Sequence, residues 1–271
     1  MEEDTNSNIS NTELVNSILE FSKLQGNLLL GMIYGSQKKG NDLDIFLVYN
    51  NNVKKNIPVN NLNNLDISQI EINNFKKKIF YRDIEYTEPI LTGKYLCGNK
   101  NILEKAKDFL INTDPDVSIY DYLGKRCIKA FLQAEEYYFL AQQELFIKMY
   151  SSNISLFKMK NYFFGNDFKL DSKILNIRIF TRLLYSLSLL NYSLSHLSAR
   201  KRYIEGARTV TLQNILDNPL NSIEKKLVVL RNYFKLYNSL KLYNRKEKSI
   251  SLDKINLYFK DVRLLLSKEL W

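Results

Sequence analysis

Nine glycines and four prolines are the only chain-breaking residues in a chain of 271. Average usage, about 7% glycine and 5% proline, would supply more than twice as many. Such sparse punctuation excludes collagen and argues against a many-turn β-sandwich; it favours long helices. Hydrophobic residues make up 45% of the chain, enough to drive collapse around a core. The length suits one large domain or two ordinary ones. No heptad or solenoid repeat runs through it.

The helical spacing of Leu14, Ile18, Phe21 and Leu24 predicts an amphipathic helix over residues 12–24. The apolar run 28–34 then reads as a buried strand entering a tight turn at Gly35 and Ser36. A second strand is predicted over 42–49 and a third over 65–70, joined by an Asn-rich stretch, 50–64, that reads as a hairpin-type loop. Residues 75–81 look helical. Residues 87–93 are predicted to be extended or turning, because Glu88 precedes a proline. A short helix follows over 101–111. Asp114, Pro115 and Asp116 are the strongest punctuation in the chain and mark the expected boundary between a domain over 1–115 and one over 116–271. Beyond it the pattern is nearly all helix, with candidates over 118–150, 171–198, 209–216, 222–243 and 251–270. The expected class is α+β: a small α/β domain with a short mixed sheet, then an α-helical bundle.

Cys97 and Cys127 show neither CxxC spacing nor a histidine neighbour, which excludes a disulfide framework and a zinc finger. Together with an acidic, polar N-terminus unlike a signal peptide, this points to the cytoplasm. The stretch 183–197 is too short and too rich in Ser and Asn to span a bilayer. A single histidine, His196, excludes a histidine metal cluster and reads as structural.

The net charge of +10 is unevenly spread. Residues 1–120 carry 13 Lys and Arg against 16 Asp and Glu; residues 121–271 carry 26 against 13. A basic back half suggests a polyanionic partner there, the alternative being a solvated basic surface.

The chemistry-bearing pattern lies in the front half. Residues two apart on a strand share a face, so Asp42 and Asp44 project side by side, about 6–7 Å apart. Two carboxylates so placed repel unless a cation lies between them. Asp66, in the apolar context Leu-Asp-Ile, is the third carboxylate, with Glu71, Asp83, Glu85 and Glu88 as competitors, Glu88 the most serious. Three carboxylates on adjacent strands can hold two Mg²⁺ ions, an arrangement suited to in-line phosphoryl displacement. At the end of the neighbouring strand, the backbone N–H groups of Gly35 and Ser36 and the Ser36 hydroxyl can hold phosphate oxygens. Lys38 and Lys39 on the same turn can neutralise a triphosphate.

In this order and these strand contexts, Gly35-Ser36, Asp42-x-Asp44 and Asp66 resemble the signature of the DNA polymerase beta-like nucleotidyltransferase superfamily. The resemblance implies that Asp42 and Asp44 bind Mg²⁺. It implies that Asp66 completes the metal site and takes the proton of an acceptor hydroxyl, and that Gly35 and Ser36 hold the triphosphate of an NTP. It covers about residues 28–70 and at most extends to 112. The spacer between Ser36 and Asp42 is five residues, shorter than in many members, with Lys39-Gly40 where Arg-Gly often stands.

The acceptor is expected to meet the helical half. Arg178 and Arg182 lie one turn apart, and Arg200, Lys201, Arg202 and Arg208 form a second basic cluster. These residues, with Glu88, are the candidates for acceptor binding. Their charge disfavours a cationic aminoglycoside-type acceptor and fits a nucleic acid such as tRNA or a phosphorylated molecule. A small neutral acceptor and a non-catalytic, nucleic-acid- or partner-binding module are the alternatives. No membrane partner is expected.

Overall fold

A computed structural model of the chain describes residues 28–34, 43–50, 65–151, 172–243 and 252–270. The predicted helix over 12–24 lies outside them. The protein is α+β, with one four-stranded mixed sheet and eight helices among the described residues. It divides into two compact units: residues 1–119 with 202–213, and residues 120–201 with 214–271. The division falls in the first turn of a long helix, just after the Asp114–Asp116 punctuation. It also returns a segment of the back half to the front unit.

In the front unit the sheet is built from β1 (Leu28–Tyr34), β2 (Leu43–Tyr49), β3 (Leu65–Glu71) and β4 (Lys94–Gly98), in the order β3-β2-β1-β4. β1 pairs antiparallel with both β2 and β4, while β2 and β3 are parallel. Parallel strands are not joined by a hairpin, so β2 and β3 do not form the hairpin expected; residues 51–64 between them lie outside the described residues. β4 is a strand that the hydropathy pattern did not announce. β1 and β2 are apolar on both faces because both faces are covered. Leu30, Met32, Phe46 and Val48 face a core completed by Phe75, Ile79, Ile90, Leu103 and Leu110. Ile33, Ile45, Leu47, Tyr49 and Cys97 form a second cluster.

Three helices supply the first core: α1 (Ile72–Phe80), α2 (Ile84–Thr92) and α3 (Lys100–Asn112). Glu71 caps α1 by accepting from the N–H groups of Asn73 and Asn74, and Asp83 caps α2 at Glu85. The segment 87–93, expected to be extended, is helical through Thr92 with Pro89 inside it. Burial of Ile84, Thr87, Pro89 and Ile90 outweighs the proline penalty in this short helix. At Gly98 the backbone φ is +91°, and a Cβ there would stand 2.5 Å from the Leu29 carbonyl oxygen, so only glycine fits.

Arg82 joins the pieces of this unit. It is 1% exposed and, unusually for a non-glycine residue, has φ of 51°. Nη1 donates to the carbonyls of Leu110 (2.8 Å) and Arg208 (2.6 Å), and Nη2 donates to the carbonyl (2.5 Å) and hydroxyl (3.0 Å) of Thr113. Its Cζ lies 5.9 Å from the Phe109 ring centre and 5.7 Å from that of Tyr203. Among the described residues no carboxylate pairs with it. Its charge is met by carbonyl dipoles at the C-terminus of α3 and by aromatic faces. Tyr203, Arg208 and their neighbours thereby become part of the front unit.

The back unit is all helical: most of α4 (Val117–Ser151) and α5 (Ser172–Ile204), the end of α6 (Leu212–Asp217), then α7 (Ser222–Tyr243) and α8 (Leu252–Leu270). Asp116 caps α4 by accepting from the Ser118 N–H at 2.7 Å, which holds its carboxyl below the usual carboxylate range. α5 is buried almost all round from Ser186 to Ala199. Several of its polar side chains bond locally or to α4: Asn191 Nδ2 on Leu187, Ser195 on Asn191, Ser186 on Ala134 and Ser193 on Cys127, each through a carbonyl. Phe131 and Tyr138 of α4 pack on Phe259 of α8. Among the described residues no helix is long and apolar enough to cross a membrane. Cys97 and Cys127 are free and buried, and burial pushes the Cys127 thiol up to about 12 and raises that of Cys97.

Replacing Arg82 by Met should lower the unfolding free energy by roughly 3–5 kcal/mol, because several buried carbonyls lose a charged donor worth about 1.5–3 kcal/mol each and such losses are not additive. Arg82→Lys should lose nearly as much, since one ammonium cannot reproduce the forked geometry. Urea denaturation measures this, and a loss below about 1 kcal/mol would remove Arg82 from its place in the fold.

Candidate active site

Strand pairing brings three predicted or adjacent positions into one row. Tyr34, the last residue of β1, is the register partner of Asp44 on β2. Asp44 is in turn the register partner of Asp66 on β3. Directly paired residues share a sheet face, and neighbouring strands lie about 4.7–4.9 Å apart. The row Tyr34–Asp44–Asp66 therefore crosses one end of the sheet. Alternation puts Asp44 on the same face as Phe46 and Val48, the face that α1, α2 and α3 cover. Asp44 is half-buried there. Phe46, two residues on, is ringed by Tyr34, Phe75 and Tyr86 at 5.8–6.5 Å between ring centres. The aromatic packing fixes β2 just behind the carboxylate position.

Gly35, Ser36, Lys38, Lys39 and Asp42 lie outside the described residues. They belong to the connection between Tyr34 and Leu43, and Leu43 and Leu65 are the register pair next to Asp44 and Asp66. Among the described residues no three His, Cys, Asp or Glu side chains converge. Asp44 and Asp66 are two of the three expected carboxylates, and hard oxygen donors on adjacent strands are the chemistry that suits Mg²⁺.

The competing acids have other duties. Glu71 stands opposite Tyr49, at the far end of the β2–β3 pair, and caps α1. Asp83 is fully buried and pairs with Lys78 at 2.8 Å. Glu88 accepts from the Leu212 N–H (2.5 Å) and the Gln213 N–H (3.4 Å), so it caps α6 from a distance of 124 residues in sequence. Its carboxylate serves the returning segment.

Most of the basic residues expected to meet an acceptor have a partner within their own unit, with Arg178 and Arg208 exposed. Arg178 and Arg182 both pair with Glu144, at 3.1 and 3.2 Å. Arg200 donates to the carbonyls of Tyr120 and Glu269, and Lys201 pairs with the Glu269 carboxylate. Arg208 pairs with Asp114. Arg202 is half-buried in the front unit. His196 is fully buried, with Nδ1 on the Tyr192 carbonyl oxygen at 2.9 Å, as a structural histidine would be.

Set against known proteins, the chain matches no family model and no curated protein sequence. Tyr34 and Arg82 were not singled out from the sequence. Tyr34 had one signal, its place directly before the Gly-Ser turn; Arg82 had none.

Glu88→Ala should destabilise the protein by about 1 kcal/mol, as loss of a helix cap does, and Glu88→Gln should recover part of it through its amide oxygen. An unchanged denaturation midpoint for Glu88→Ala would contradict the capping role.

Proposed function

We propose that this protein is an NTP-dependent nucleotidyltransferase. It transfers a nucleoside monophosphate to an acceptor hydroxyl and releases pyrophosphate. The observation that carries the reading is the in-register pairing of Asp44 with Asp66, beside the strand that leads into Gly35 and Ser36. A dead site has no reason to keep like charges adjacent at one end of a sheet.

Asp42, Asp44 and Asp66 would hold divalent cations. Bound Mg²⁺ would supply the positive charge that neutralises the triphosphate and the charge developing at the α-phosphorus. The N–H groups of Gly35 and Ser36 and the Ser36 hydroxyl would donate to phosphate oxygens, with Lys38 and Lys39 adding charge. Asp66 would accept the proton of the acceptor hydroxyl as its oxygen bonds to the α-phosphorus. The bond from that phosphorus to the bridging oxygen breaks, and pyrophosphate leaves with the electron pair. Positioning and electrostatics account for the rate, with no covalent enzyme intermediate.

Arg178 and Arg182 share Glu144, and Arg200 and Lys201 meet Glu269, so these four side chains have partners within the back unit. The back half stays basic, with 26 Lys and Arg against 13 Asp and Glu over residues 121–271.

Asp44→Asn should abolish Mg²⁺-dependent pyrophosphate release from an NTP while the circular dichroism spectrum and melting stay cooperative. The substitution keeps shape and removes only the charge a cation needs. Near-wild-type turnover by folded Asp44→Asn protein would overturn the assignment.

A further inference from the structure

The front unit carries an exposed aromatic platform flanked by cations. Phe80, the last residue of α1, is 47% exposed although two rings hold it: Tyr81 edge-on at 5.1 Å and Phe109 stacked at 6.4 Å with 26° between planes. Phe109 lies against the Arg82 guanidinium, which four hydrogen bonds fix in place. The Phe80 ring therefore has a rigid base and a solvent-facing surface. Lys76 and Lys77 precede Phe80 by one helical turn, and Lys105 precedes Phe109 by one turn; all three are exposed. Among the described residues none of them is in an ion pair. α1 contains no acidic residue. On α3, Glu104 is neutralised by Lys100, and Asp108 accepts from Asn112.

The geometry points to a binding site for single-stranded nucleic acid on this face, with a base stacked on Phe80 and the flanking phosphates met by Lys76, Lys77 and Lys105. A fixed aromatic face beside unpaired cations is the chemistry that binds unpaired nucleotides, because every base has a π-face and every link a negative charge. A duplex hides its base faces and offers nothing to Phe80. A second copy of the chain fits less well: stable interfaces bury about 800 Å² on each partner and are depleted in lysine, whereas here one ring stands among three lysines. The inference deepens the transfer reading by naming an acceptor class, a strand whose terminal hydroxyl would receive the nucleotide. Binding itself does not depend on transfer.

The test is fluorescence anisotropy of a labelled 12-nucleotide oligo(U) with the full chain, without NTP, between 50 and 300 mM salt. Phe80→Ala should weaken binding by about fivefold to a hundredfold, the range one base–aromatic stack supplies, and Phe80→Trp should bind at least as tightly as wild type. Changing Lys76 and Lys77 together to Ala should reduce the salt slope by about 1.4, two contacts at roughly 0.7 each. A matched duplex should bind more weakly than the single strand. Failure of the wild type to bind, unchanged affinity in Phe80→Ala, or a dimer-to-monomer change in Phe80→Ala without loss of oligonucleotide affinity would overturn the site. Pyrophosphate release is assayed separately, so loss of binding with retained transfer rejects only this site, and the reverse rejects only the transfer reading.

Discussion

A guanidinium buried without a carboxylate is expensive, and Arg82 is tolerated because four carbonyl and hydroxyl oxygens and two aromatic rings surround it. Those six groups come from three stretches of chain: the end of α3, the Thr113 turn and the returning segment around Tyr203 and Arg208. One side chain thus couples the packing of α3 to residues more than 120 positions away. The left-handed backbone at Arg82 costs about 1–2 kcal/mol, a strain that persists only where the surroundings over-determine it. Glu88 does the complementary work with the opposite charge, holding amide N–H groups at the start of α6. The front unit is discontinuous in sequence because these two charges take their partners from the far side of the helical region.

The frame so built presents β2 between β1 and β3. Antiparallel pairing on one side and parallel pairing on the other set Tyr34, Asp44 and Asp66 in one row. A one-residue slip of β3 would exchange the faces of all its residues and take Ile67 away from the cluster of Ile33, Ile45 and Leu47. Burial of Phe46 and Val48 holds β2, and half-burial of Ile67 and Ile70 holds β3 beside it. Hydrophobic register and carboxylate placement are one constraint. The carboxylate row at the strand ends is what a cation-dependent phosphoryl transfer needs.

Much of this was legible from residue order. The runs 28–34, 43–49 and 65–71 are apolar enough, and short enough, to be strands, and the scarcity of glycine and proline announced the long helices. Pairing direction was not legible, since an Asn-rich connection looks the same in a hairpin as in a crossover. β4 was missed because Lys-Tyr-Leu-Cys-Gly is short and half-exposed, and becomes a strand only through β1. Pro89 misled the local reading of α2, where burial decides the outcome. Asp44 and Asp66, singled out by type and context, are register partners in the sheet. The roles of Glu88, Arg178, Arg182 and Arg200 were not legible, because charge is written in the sequence and the partner is written in the fold.

The most direct test of the central claim is a double-mutant cycle on Mn²⁺ affinity, measured by electron paramagnetic resonance with Asp44→Asn, Asp66→Asn and the double variant. If the two carboxylates hold a common cation site, each single change should remove most of the affinity and the double should lose little more, a strongly non-additive result. Additive losses, or wild-type Mn²⁺ binding in either single variant, would contradict the account.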